Sequence, residues 1–532
     1  MKRNLLLVAL CLPPVLVCTA PGNIIYVDDD AQAGGDGRSW ATAYRYLQDA
    51  LADARAADTP VEIRIAQGTY RPDQVTDQTW WRMWFELTSG VALKGGYAGV
   101  GASVQVDPNV RDIALYETIL SGDLAGNDVE VDDPCDLEKE PTRADNTGLL
   151  TTVYQAEDVL LDGITIANGR VISPVETRGG TGGGAIVIRN SSPTINSCTF
   201  RGNTAEIYGG AVFIDAGHPM FTNCTFMKNY AFGGGAIQGG DAGTQIANCS
   251  FINNAASSSG GAVAQSLGTI SHCVFRGNSA NRGGALARCR GLIAHCLFAG
   301  NSASQGGGAV EAVYRDTPTF KNCVFADSRA TGTGGGRFTS GSATVTLVNC
   351  TFSGNSGIDG NALACYSWHA QHPPSRALLT SCILWDGGRE IWSNDDSTII
   401  VTYSDVFGGY SGVGNIDLDP LLADRNNGDF RLKSQGGRWD PNSQSWVQDD
   451  VTSPCIDGGD PNSPIAYEPF PNGGIVNMGA YGGTAEASKS YFGEPVCETV
   501  IAGDLNGDCR VDFADLAILL KHWLDRGEQG HE

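Results

Sequence analysis

The chain has 532 residues, with 35 Lys plus Arg against 59 Asp plus Glu and a net charge of −24. That balance argues against a nucleic-acid partner, and an anionic membrane surface would repel it. Seventy glycines and 18% charged residues suit a tightly turning β protein, and a solenoid escapes the size limit of a single globular core.

The start, Met1-Lys2-Arg3-Asn4 followed by Leu5 to Val17, is a basic segment and an apolar run too short to span a membrane stably. Residues 1–20 read as an export signal, with Cys18 and Ala20 at the small-residue cleavage positions. No later stretch is apolar enough for a membrane helix, so the mature chain is expected to be secreted or held at the cell surface. Residues 21–485 then form one unit. Ile24 to Val27 reads as a strand, and Ser39 as the cap of a helix with apolar Tyr44, Leu47, Ala50, Leu51 and Ala54. Such a helix would cover the open end of a sheet stack. Asp123 to Glu140 reads as a solvated acidic loop.

From Cys198 onward one phrase repeats: Cys198-Thr199-Phe200-Arg201-Gly202-Asn203, then Cys224-Thr225-Phe226-Met227-Lys228-Asn229. The ladder cysteines Cys198, Cys224, Cys249, Cys273, Cys296, Cys323 and Cys350 are 26, 25, 24, 23, 27 and 27 positions apart. Gly-Gly-Ala recurs between them, as at Gly209-Gly210-Ala211 and Gly234-Gly235-Ala236. A period in the twenties means a solenoid whose repeats bury their apolar faces against one another. Asn223-Cys224-Thr225-Phe226 alternates polar and apolar, which is strand spacing. The expected fold is therefore all-β: a right-handed parallel β-helix with an N-terminal cap helix. The Gly-Gly pairs fit bends with positive φ, or places where neighbouring backbones crowd. Asn203, Asn229, Asn254, Asn278, Asn301 and Asn355 are placed to bond one another from turn to turn. Arg337 in place of Ala, Ser328 in place of Asn, and an insertion at Cys365 to Arg376 with Trp368, His369 and His372 mark departures from the repeat. Thr402 to Asp405 reads as the last coil, 414–485 as a loop-rich cap, and 486–500 as a linker.

Equivalent cysteines on stacked parallel strands lie slightly too far apart for a disulfide, so the ladder is expected to be a file of buried thiols. Cys135, Cys289, Cys365, Cys455, Cys497 and Cys509 lie outside it and are the better disulfide candidates. Among outward charges, Asp215, Asp241, Glu311 and Asp316 and Arg288, Arg290, Arg315 and Arg337 occupy different phases of the repeat. His218, His272, His295, His369 and His372 make no metal-spaced motif, although His272 and His295 should point outward one coil apart. No catalytic residue is assigned from the sequence.

Residues 501–532 carry more defined chemistry. Asp504, Asn506, Asp508, Asp512 and Asp515, with the carbonyl of Arg510, supply oxygens at loop positions 1, 3, 5, 9, 12 and 7, a set that suits calcium. Leu516, Leu519, Leu520, Trp523 and Leu524 follow at helical spacing. The tail is therefore expected to be a small Ca2+ loop and helix.

The Gly-Gly-Ala-aliphatic and Phe-x-x-Asn phrases resemble the repeats of chlamydial polymorphic outer-membrane proteins and of secreted bacterial β-helix proteins. Residues 24–70 look like the amino-terminal cap of the latter. Gly414 to Asp417, Ser453 to Asp460 and Met478 to Tyr481 resemble the family called choice-of-anchor Q. The tail resembles one half of a type I dockerin, with one loop instead of two, Cys509 where Gly is usual, and Phe513 and Ala514 at positions 10 and 11. These resemblances imply export; with no converging catalytic cluster in the sequence, the chain reads as a non-catalytic binding or scaffolding protein, adhesin-like or carbohydrate-associated. Its expected partners are an extracellular polysaccharide or surface protein and a cohesin-like anchor. A polysaccharide lyase or glycoside hydrolase, and a structural envelope component, are the rival readings.

Overall fold

The structure, a computed structural model, describes residues 23–57, 60–72, 84–101, 106–172, 182–331, 338–366, 373–393, 395–493, 503, 505 and 510–525. Short strands wind around successive coils and pair in parallel with their counterparts one coil on. Among the described residues this gives four parallel sheets of 13, 12, 11 and 7 strands, and the fold is a right-handed parallel β-helix. Sheet 1 is the 13-stranded one and starts at Ile24–Val27; sheet 2, with 12 strands, holds the Cys-x-Phe strands such as Thr225–Met227. Sheet 3, with 11, holds the strands after Gly-Gly-Ala, such as Val212–Ala216. Sheet 4, with 7, holds strands such as Thr204–Tyr208.

Alternation decides which side chains fill the core. Phe226 is fully buried while Thr225 and Met227 on either side are half-exposed. Because equivalent strands lie one sheet spacing apart, Phe200, Phe226, Phe251, Phe275, Phe298 and Phe325 stack with centroids 4.6 to 4.8 Å apart. The asparagines do the same in polar form. Asn229 Oδ1 accepts from the main-chain N–H of Asn203 at 3.0 Å and from its Nδ2 at 3.1 Å. Asn229 Nδ2 in turn donates to the Phe200 carbonyl at 3.0 Å and to Asn254 Oδ1 at 2.9 Å. The pattern runs on to Asn301, so these buried amides are saturated from within the stack. Ser328 and Asn355 extend it to Asp386.

The two glycines of each bend have separate tasks. Gly209 has φ of 59°, whereas a Cβ on Gly210 would collide with the carbonyl oxygen of Gly235 on the next coil. The eight file cysteines, Cys198 to Cys350 with Cys382 added, are buried and free. Each donates to local carbonyls, as Cys224 Sγ does to Thr222 at 3.3 Å and Ile195 at 3.4 Å. Burial pushes the Cys198 thiol up to about 12.

Several expectations are corrected. Ser39 caps a single 3-10 turn, Trp40–Thr42, and not the cap helix. The helix α1 (Leu47–Ala56) starts five residues later; it seats Leu47, Ala50, Leu51 and Ala54 on the first coil. The acidic excursion is not simply solvated: Arg143, 1% exposed, pairs with Asp128 at 3.1 Å and donates to the Gly202 carbonyl at 2.8 Å. Lys228 reaches Glu130 at 2.8 Å. An arginine that finds main-chain carbonyls on the coils ties an otherwise repelling segment down. Cys135, Cys289, Cys365 and Cys455 form no disulfide among the described residues. Cys497 and Cys509 lie outside the described residues, as do residues 1–20, Arg337, Trp368, His369 and His372.

The loop-rich cap folds back on the rod. Asn322 Nδ2 donates to the carbonyls of Ala480 at 3.0 Å and Gly482 at 2.7 Å, and Asn349 Nδ2 to Asn477 at 2.8 Å. Among the described residues no helix is long and apolar enough to cross a membrane.

Candidate functional site

Coil length places the main surface feature. Cys224 and Cys249 follow the alanines of their Gly-Gly-Ala phrases by 13 positions and Cys323 by 14, but Cys273 and Cys296 by only 11. The loss falls where sheet 3 gives way to sheet 1. Sheet-3 strands Val212–Ala216 and Val310–Val313 have five and four residues, whereas Ile237–Gly239, Val263–Ala264 and Leu286–Ala287 between them have three, two and two. The shortened strands end in left-handed residues: Gly239 (φ 93°), Gln265 (φ 58°) and Arg288 (φ 56°). Turning early, these coils leave a notch of about 410 Å³ across the side of the rod. Four coils contribute to it, so it spans roughly 14 Å along the axis at about 4.8 Å per step.

Its walls combine ring, amide and charge. Tyr208 and Phe213 stack at one end, 6.0 Å apart with planes 19° from parallel. Gln238, Gln265 and Leu267 line the middle, and Leu267 is 39% exposed. Asp215 and Asp241 lie on one side, Arg288 and Arg290 on the other. Most of these charges are committed. Asp215 accepts from Arg189 Nε at 2.7 Å, and Asp241 from the Gly217 N–H at 3.1 Å. Arg290 Nε donates at 2.7 Å to Asp316, which is wholly buried and also accepts the Val313 N–H. Arg288 differs: its guanidinium carbon lies 5.5 Å from the Tyr314 ring centre, and its Nε is buried without a hydrogen-bond partner among the described residues.

Thus four charges from different phases of the repeat, Asp215, Asp241, Arg288 and Arg290, do converge, because unequal coils shift them into register. Asp316 supports from behind. Glu311 does not line the notch; it faces outward from sheet 3, 5% exposed, with Arg282 4.0 Å away, and burial raises its carboxyl to about 7. His272 and His295 stack outward at 4.8 Å, as their positions suggest, with no third ligand among the described residues. Tyr208, Phe213, Gln265 and Leu267 were not singled out in the sequence, and the fall of coil length from 26 to 23 is the signal that locates them. A separate acidic group, Asp28, Asp29 and Asp30, holds main-chain N–H groups of Val100 and Thr69.

In the tail, only part of the calcium loop lies within the described residues: Arg510, Asp512 and Asp515, but not Asp504, Asn506 or Asp508. Asp515, 2% exposed, accepts from Leu505 N–H at 2.6 Å and Asp512 N–H at 2.7 Å, closing the loop onto α2 (Phe513–Asp525). The apolar face of α2 stays open: Leu516, Leu519 and Leu520 are 42%, 45% and 48% exposed.

Parallel coils, a saturated amide ladder and a side notch define a β-solenoid with a lateral cleft. The chain belongs to the family described as right handed beta helix region, which matches residues 145–291 and 210–417, together just over half of its length. A second model, disaggregatase related, matches residues 401–459. No curated protein matches the chain. Solved structures similar to it include pectate lyase Pel9A, at 12% identity over 87% of this chain and 96% of that one, with a TM-score of 0.39. A rhamnogalacturonan lyase is similar at 14% identity over 81% and 96%, with a TM-score of 0.39. PfbA, a surface adhesin of Streptococcus pneumoniae, is similar at 12% identity over 72% and 88%, with a TM-score of 0.33.

Proposed function

We propose that this is a secreted or cell-surface protein whose rod is a scaffold, that it binds an extracellular polysaccharide across the notch, and that its tail attaches it elsewhere. The observation that carries the reading is the notch itself. It is open and elongated, and it offers a stacked ring pair, two amide side chains and four charges within one cleft. Aromatic faces suit the apolar faces of sugar rings, and amides and carboxylates suit their hydroxyls. Its two aspartates are engaged with Arg189 and Gly217, which favours holding a ligand over breaking a bond. The tail's oxygen-only donor set, Asp504, Asn506, Asp508, Asp512, Asp515 and the Arg510 carbonyl, fits calcium, and ordering the loop would present the open leucine face of α2 to an anchoring partner, cohesin-like or otherwise.

Binding of the whole protein to an array of bacterial and plant polysaccharides tests this reading. Retention of a glycan without new reducing ends or unsaturated products supports it. Steady product release establishes the lyase or hydrolase alternative. Ordered self-assembly with neither binding nor turnover would favour a structural envelope component.

A further inference from the structure

Resting on that carbohydrate reading, we infer that the ligand is an acidic polysaccharide of sparse charge, with one carboxylate or sulfate group seated on Arg288 and neutral sugars over the rest of the notch. The argument starts from what is unfulfilled. Arg288 leaves its short strand in a left-handed conformation, and it lines the cleft. Its Nε has no hydrogen-bond partner among the described residues, and Glu311 on the next coil senses its charge. Arg288 is half-buried and lines the cleft, so an oxyanion brought by a ligand would meet its guanidinium with a charge-assisted bond. Tyr314 beneath the guanidinium and the Arg290–Asp316 pair beside it hold that end of the notch in shape.

The same walls limit how much charge the ligand can carry. Toward the other end lie Asp215, offset by Arg189, and Asp241, held by a main-chain N–H alone, and the chain as a whole is at −24. A polymer with an acid on every unit would bring a second anion against these aspartates, and like charges at close range are disfavoured. A chain alternating charged and neutral units avoids that. Its neutral ring lies toward Tyr208 and Phe213, its hydroxyls toward Gln265 and Asp241. Carboxylate and sulfate share the chemistry Arg288 needs, so both sources are included in the test.

The test uses the full-length protein in titration calorimetry with four probes. These are hyaluronan oligosaccharides, in which uronate alternates with a neutral sugar; kappa-carrageenan oligosaccharides, in which a sulfated galactose alternates with a neutral anhydrogalactose; oligogalacturonate, charged on every unit; and methyl-esterified oligogalacturonate, uncharged. The expected order is an alternating probe, uronate or sulfate, tighter than oligogalacturonate, with the ester weakest. Arg288→Ala should weaken the alternating probe at least about tenfold, with partial recovery in Arg288→Lys. Asp241→Asn should narrow the gap between alternating and fully charged probes. Equal affinity for ester and acid, or binding indifferent to Arg288→Ala and Arg288→Lys, overturns the inference while leaving carbohydrate binding intact. Loss of binding to all glycans, charged or neutral, would remove both readings together.

Discussion

Cys455 Sγ donates to Asp405 Oδ2 at 3.2 Å, and neither residue has any exposed surface. This contact joins the carboxyl-terminal cap to the last coil, since Asp405 lies in sheet 2 and Cys455 leads into the loop that returns along the rod. Burial raises the Asp405 carboxyl to about 7, the Glu468 carboxyl to about 7 and the Glu390 carboxyl to about 8. The folded state therefore keeps protons that the unfolded chain releases near pH 4. That contribution is complete below the unfolded values and is lost as pH rises through 7 to 8. Melting temperature should fall steadily between pH 5 and about 8.5. Asp405→Asn and Glu390→Gln should each flatten the slope, by up to about 1.4 kcal/mol for each pKa unit removed. A melting temperature that rises over that range would contradict it.

The core register gives a second prediction. Phe275 stacks between Phe251 and Phe298 with no exposure, so Phe275→Asp should cost more than about 4 kcal/mol by burying an unpaired charge. Thr225 points outward, and Thr225→Asp should stay within about 0.5 kcal/mol. Chemical denaturation of the two variants separates these outcomes.

The thiols give a third. None of the twelve described cysteines forms a disulfide among the described residues, so denatured, unreduced protein should titrate at least twelve thiols with a colorimetric disulfide reagent. A count near zero in freshly purified protein would mean that the coils are cross-linked.

The tail gives a fourth. Calorimetry of the full-length protein should register one calcium site, and Asp504→Ala with Asp515→Ala should abolish it without shifting the melting of the β-helix. Heat of binding unchanged in the double variant would reduce the segment to an acidic turn before a helix.

The fold was legible because a solenoid repeats its own evidence. The Phe and Asn files could be placed from spacing alone, since one geometry governs every coil. The outward direction of His272 and His295 followed from the same register. The notch was harder to see. Its charges fall at unlike phases, and only the early turns at Gln265 and Arg288, taken together, bring them onto one surface. The ends escaped for another reason. Ser39 has the chemistry of a helix cap, yet the following residues make one tight turn before α1 begins. Arg143 has no periodic partner, so nothing in the local sequence shows that it anchors the acidic excursion to Asp128 and Gly202.

The most direct test of the notch as the binding surface is hydrogen–deuterium exchange of the whole protein, with and without a bound polysaccharide. Protection should concentrate in residues 208–215, 238–241, 265–267 and 288–290, which come from four successive coils and meet only at the notch. Protection spread evenly along the sheets, or confined to the cap at 414–485, would contradict the account.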